Sequence, residues 1–166
     1  MLAIALLIIG IIFRFIPHLA NFTPILAIAL FGGVYLNKKH AVVIPLALMI
    51  LTDIFLGLHN TIVFTWGSIL LISALGMLIR KRKSVENITL SALSSAVVFF
   101  VITNFGVWLM GWYPRTLNGL ISCYTLAIPF FRTTILSTLV FSIGLFGIYE
   151  LIARKVKDTP LAKVLL

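Results

Sequence analysis

The sequence predicts an all-α integral membrane protein with six transmembrane helices and both termini in the cytoplasm. Three observations predict it. Of the 166 residues, 61% are hydrophobic and only 10% are charged, whereas soluble domains carry about 25% charged residues. Apolar runs close to bilayer length recur from end to end, with too little polar surface to face water. The basic residues fall in alternate breaks between these runs, as cytoplasmic loops do.

The first run covers 2–16 and ends near Pro17. It lacks a basic leader and an A-x-A-like cleavage site, so it reads as a retained helix rather than a signal peptide. The second run covers 24–36, and Asn37-Lys38-Lys39-His40 is a polar turn. The third covers 41–57, with Pro45 in its first turns, and Leu58-His59-Asn60-Thr61 is the next turn. The fourth covers 62–79 and is followed by a charged loop, 80–87. The fifth covers 88–110, an irregular segment extends over 111–126, and the sixth covers 129–152, opening on Pro129, a residue suited to a first helical turn. Residues 1–166 form a single transmembrane domain, with no internal repeat.

Ten of the thirteen basic residues lie in three segments: Lys38 and Lys39; Arg80, Lys81, Arg82 and Lys83; and Arg154, Lys155, Lys157 and Lys163. Six spans put all three on one side, the cytoplasmic face of the membrane. Five or seven spans would divide them. Arg14, Arg115 and Arg132 remain on the outward side.

Composition also excludes functions. A net charge of +9 invites a nucleic-acid partner, but its grouping in loops between spans argues against one. One cysteine rules out an internal disulfide and a cysteine-only metal cluster. With four acids a multi-carboxylate metal centre is not expected, nor any cofactor. The chain has no phosphate-binding loop, no H-E-x-x-H and no G-x-S-x-G, so it is expected not to be an enzyme and not to hydrolyse ATP itself.

The outward half holds the recognition chemistry. Asp53 is its one acid. An ionisable group within a span costs about 2.5–3.5 kcal/mol at the centre by insertion scales, so it faces protein or a wet cavity. Asp53 reads either as a clamp with Arg14 or Arg132, or as a group that meets a polar ligand. Asn104, Trp108 and Trp112 are spaced to share one helix face, as are Tyr124, Ile128 and Arg132 if the sixth helix starts early. Asn104 either bonds a neighbouring helix or a ligand, and the aromatics either form an interfacial belt or stack on a ligand. The candidate ligand-binding set is Arg14, His18, Asn21, Asp53, His59, Trp66, Asn104, Trp108, Tyr113, Arg115, Cys123, Tyr124 and Arg132. Within it Trp66, Trp108, Tyr113 and Tyr124 would stack, while Arg14, Asn21, Asp53, Asn104 and Arg132 would fix polar groups. Three outward arginines against one acid point to an anionic ligand. His18, His59 and Cys123 lack the close spacing of a metal site.

Several segments resemble a known architecture. Asn21-Phe22-Thr23-Pro24-Ile25-Leu26-Ala27-Ile28-Ala29-Leu30-Phe31-Gly32-Gly33, a short basic turn and a third helix ending in Asp53 are similar to the first half of S components. These are the six-helix substrate-binding subunits of energy-coupling-factor (ECF) transporters. Arg14-Phe15-Ile16-Pro17-His18, Thr103-Asn104-Phe105-Gly106-Val107-Trp108, Tyr113-Pro114, and Gly119-Leu120-Ile121-Ser122-Cys123-Tyr124 with Ala127-Ile128-Pro129-Phe130-Phe131 resemble a bacterial membrane family related to them.

The resemblance implies an S-component-like bundle that takes up a small, vitamin-like nutrient from outside. Its implied partners are a membrane subunit and two ATPases. Many S components dock through an Ala-x-x-x-Ala surface on helix one; here helix one carries Ala3, Ala5 and Gly10 without that spacing. The pairs Ala29/Gly33 and Ala92/Ala96 are the nearest equivalents. Two other function classes fit the same residues: a membrane scaffold whose outward polar groups lock helices together, and an intramembrane enzyme using His18, His59 or Cys123.

Overall fold

The computed structural model describes residues 1–17 and 19–165. Eight helices occur among them, and no strand. They are α1 (Leu2–Ile12), α2 (Ile25–Tyr35), α3 (Lys38–Leu56), α4 (Ile62–Ile79), α5 (Val85–Leu109), α6 (Leu117–Leu126), α7 (Ile128–Val156) and the short α8 (Ala162–Leu165). Four of them, α3, α4, α5 and α7, are long and apolar enough to cross a membrane, which marks a multi-pass membrane protein. Large apolar side chains such as Ile8, Phe55, Leu71 and Ile143 are exposed around the bundle, a surface suited to lipid.

Element ends differ from the sequence reading where side-chain caps or prolines intervene. The first run becomes an 11-residue helix. Beyond Ile12 the amides of Phe13, Arg14 and Phe15 bond the carbonyls three residues back, at 3.0–3.2 Å. The chain thus tightens into turns before Pro17, which disfavours helical backbone at the residue preceding it.

The polar turn at Asn37 is the start of α3: the Asn37 side chain accepts from the His40 amide at 3.0 Å, an N-cap. Ser84 caps α5 in the same way through the Asn87 amide at 3.1 Å, so α5 begins three residues earlier than expected. The segment expected to be irregular, 111–126, contains α6, capped by Thr116 through the Gly119 amide. Pro129 sits in the first turn of α7, where its missing N–H costs nothing.

Short as it is, α2 is the centre of the molecule. Every residue from Ile25 to Val34 is buried, and α1, α3, α4, α5 and α7 all pack against it. Glycines let α4 approach it most closely. A Cβ on Gly33 would lie 2.8 Å from the Gly76 Cα and a Cβ on Gly76 would lie 2.9 Å from the Gly33 Cα, so the two backbones touch. Ala29, Ala92 and Ala96 are fully buried. The small-residue pairs therefore pack the interior and present no docking surface.

Contacts define the two ends of the bundle. At one end Arg80 Nη2 donates to the Gly33 carbonyl at 2.8 Å and to the Leu36 carbonyl, satisfying acceptors left open where α2 stops. Beside it the rings of Phe31, Tyr35, Phe146 and Tyr149 cluster, Tyr35 donates to Glu150, and the Lys83 ammonium lies 4.8 Å from the Tyr35 ring centroid. The loop before α3, the loop after α4 and the end of α7 meet here, and these carry the basic segments. Arg14, Asp53, Trp66, Asn104 and Cys123 lie at the other end.

Candidate functional site

A cavity of about 570 Å³ opens at the end opposite the basic segments, within the range of about 300–1,000 Å³ usual for small-molecule sites. Its walls come from every element that reaches this end. The α1–α2 loop supplies Asn21 and Thr23, with Arg14 just before them; the α3–α4 loop supplies His59, Asn60 and Thr61. From α5 come Phe99, Phe100, Thr103 and Asn104, from the α5–α6 loop Trp112 and Tyr113, from α6 Cys123, and from α7 Phe130, Phe131 and Thr134.

Local structure explains several of these positions. Asn21 adopts φ of 62°, a left-handed conformation that asparagine tolerates better than most residues, and its carbonyl accepts from Ser137 Oγ at 3.2 Å. This ties the α1–α2 loop to α7. Gly111 adopts φ of 85° and turns the chain sharply after α5. Trp112 therefore leaves the helix, and it is 70% exposed while still edging the cavity. The expected shared face of Asn104, Trp108 and Trp112 stops at Trp108. The face joining Tyr124, Ile128 and Arg132 is likewise interrupted, because α6 ends before Ala127 and α7 starts after it.

Six residues of the sequence-derived set line the cavity: Arg14, Asn21, His59, Asn104, Tyr113 and Cys123. His18 lies outside the described residues. The others take positions behind or beside the wall. Asp53 is 1% exposed; its Oδ1 pairs with Arg14 Nη2 at 2.5 Å and its Oδ2 accepts from Trp66 Nε1 at 2.8 Å. Asp53 and Trp66 thus hold Arg14 from beneath. Trp108 Nε1 donates to the Pro114 carbonyl at 3.1 Å and Arg115 Nη2 to the Leu109 carbonyl at 3.0 Å, so both fasten the α5–α6 loop. Tyr124 Oη donates to the Val101 carbonyl at 2.6 Å, joining α6 to α5. Arg132 is exposed on α7.

Sequence reasoning passed over the threonines and phenylalanines of the wall. Thr103 was legible as the neighbour of Asn104, and Phe130-Phe131 as the pair after Pro129. Phe99, Phe100 and Thr134 carry no local signal in an apolar run. Phe100 and Phe131 stack at 4.4 Å between centroids and put aromatic rings on the wall.

The two reactive side chains on the wall have other partners. His59 Nδ1 is 3.0 Å from Thr61 Oγ1, and the Cys123 thiol donates to the Asn104 carbonyl at 3.4 Å. Burial pushes the Cys123 thiol above its ordinary value, which keeps it protonated and a weak nucleophile at neutral pH. No cluster of three or more histidine, cysteine or acidic residues suited to a metal occurs among the described residues.

Fold and site together define a small all-α protein with membrane-length helices and a polar–aromatic cavity at one end. The chain belongs to DUF6580, a family of unknown function, whose match covers residues 1–161. No curated protein and no solved structure matches it.

Proposed function

We propose that the protein is a membrane subunit that binds a small, vitamin-like nutrient on the outer side of a bacterial inner membrane for uptake, in the manner of an S component. In this reading α1 to α5 and α7 are the six membrane segments, both termini are cytoplasmic, and the cavity faces outward. An ECF-type membrane subunit and two ATPases would supply the coupling. The observation that carries the reading is the cavity itself: it lies opposite the basic segments and combines an aromatic wall with converging amides and hydroxyls, the usual make-up of a ligand site. A protein that binds without chemistry also fits the partners held by His59 and Cys123.

The scaffold reading draws on a different observation, the Arg14–Asp53–Trp66 unit, whose charges are satisfied within the protein. Mass spectrometry of small molecules released from the detergent-extracted protein separates the two. A stoichiometric compound that is lost in Asn104→Leu, with folding intact, supports uptake. Absence of any compound from protein purified from its native cells favours the scaffold.

A further inference from the structure

We infer that the cavity takes a neutral ligand, a flat heteroaromatic compound bearing hydrogen-bond donors, and this rests on the ligand-binding reading above. The charge of the wall carries the first half. Arg14 is the one Lys, Arg, Asp or Glu among the described lining residues, and both terminal nitrogens of its guanidinium already have protein partners. Nη2 pairs with Asp53, while Nη1 donates to Thr52 Oγ1 and to Met49. An anionic ligand would compete with a buried carboxylate that Trp66 also holds. A cationic ligand would meet no carboxylate on the wall, because Asp53 lies behind it. Either charge would give up part of its hydration without an uncommitted charged partner on the wall, a penalty that a neutral compound avoids. Arg115 and Arg132, which suggested an anion in the sequence, are not on the wall.

The hydroxyls carry the second half. Thr103 donates to the Phe99 carbonyl at 2.7 Å and Thr134 to the Phe130 carbonyl at 2.9 Å. Each has spent its one proton on its own helix and has only lone pairs left to offer. Asn104 spends one amide proton on the Phe100 carbonyl at 2.8 Å, and the Cys123 thiol proton is spent on the Asn104 carbonyl. At Thr103 and Thr134 the wall therefore offers acceptors, which suit a ligand with N–H or O–H groups. The aromatic lining, with Phe99, Phe100, Phe131 and Tyr113, favours a planar body.

The test uses the full chain in lipid nanodiscs and matched triplets of probes: nicotinamide, nicotinate and 3-(aminomethyl)pyridine; and indole-3-acetamide, indole-3-acetate and tryptamine. Binding is read by ligand-observed NMR at neutral pH. The carboxamides are expected to bind at least about tenfold tighter than their charged counterparts, and Thr103→Val and Thr134→Val to weaken them without lowering the melting temperature. Equal or tighter binding of a carboxylate or an amine overturns the inference and leaves the pocket reading standing. Binding by no triplet member also overturns it, and mass spectrometry of released molecules then decides the pocket reading on its own.

Discussion

Arg14 and Asp53 join the end of α1 to α3 through an ion pair of 2.5 Å, and Trp66 brings α4 to the same carboxylate. Three chain segments therefore depend on one buried acid. Removing a single partner leaves a charge without compensation in the interior, at about 3–5 kcal/mol. Asp53→Leu and Arg14→Leu are each expected to lower thermal stability in detergent by that order, and the double variant to recover most of it. Single variants as stable as the parent would show that the pair does not hold the segments.

The Gly33–Gly76 contact makes a steric prediction. A methyl group on Gly33 meets the Ser73 carbonyl oxygen and one on Gly76 meets the Leu30 carbonyl oxygen. Gly33→Ala and Gly76→Ala should each destabilise by about 1–3 kcal/mol, as overpacking does. Gly144→Ala is the control, since nothing lies within 4 Å of its Cβ; it should be neutral or slightly stabilising in the same melts.

Arg80 closes α2 from the basic end. Arg80→Met strips the donor from the Gly33 and Leu36 carbonyls, with an expected loss of about 1–3 kcal/mol. Arg80→Lys should recover part of it, because an ammonium can donate to both carbonyls as the single Nη2 does, but on a shorter side chain. Equal melting temperatures for all three proteins would refute the capping role.

Cys123 offers a reactivity test. Burial raises its pKa and so lowers its thiolate fraction at neutral pH. N-ethylmaleimide should label it more slowly than a free thiol at pH 7, and the rate should go on rising with pH beyond the range where an ordinary thiol has levelled off. Fast labelling at pH 7 would contradict the buried position.

Because native Cys123 is buried, introduced cysteines can report sidedness over a low background. An impermeant maleimide added to intact cells should label Asn60→Cys and spare Lys163→Cys. The reverse pattern would invert the proposed topology.

The membrane character, the long helices and the two-ended division of charge were all legible in the sequence, because hydropathy and loop charge follow directly from residue type. The ends of α1 and α5 were not, since the chain tightens before Pro17 and the Ser84 cap acts over single turns. Among candidate site residues, Asn21, His59, Asn104, Tyr113 and Cys123 were found on the cavity wall together with Arg14. Asp53 and Trp66 carried the same polar and aromatic signal yet stand behind the wall. Residue type reveals that a group must be satisfied inside a membrane, but only packing decides whether a ligand or another side chain satisfies it.

The enclosure of α2 bears on how the chain is made. A helix of 11 residues spans about 16 Å, roughly half the hydrocarbon thickness, and this one has no exposed side from Ile25 to Val34. It has no face of its own to give to lipid and cannot anchor the nascent chain alone. As the protein leaves the insertion machinery, α2 must be retained until its later partners arrive, with α4 the first to offer a backbone it can touch. Its enclosure would then be complete only once α5 and α7 have joined α4, and a chain halted before Ile128 should be handled by the cell as unassembled.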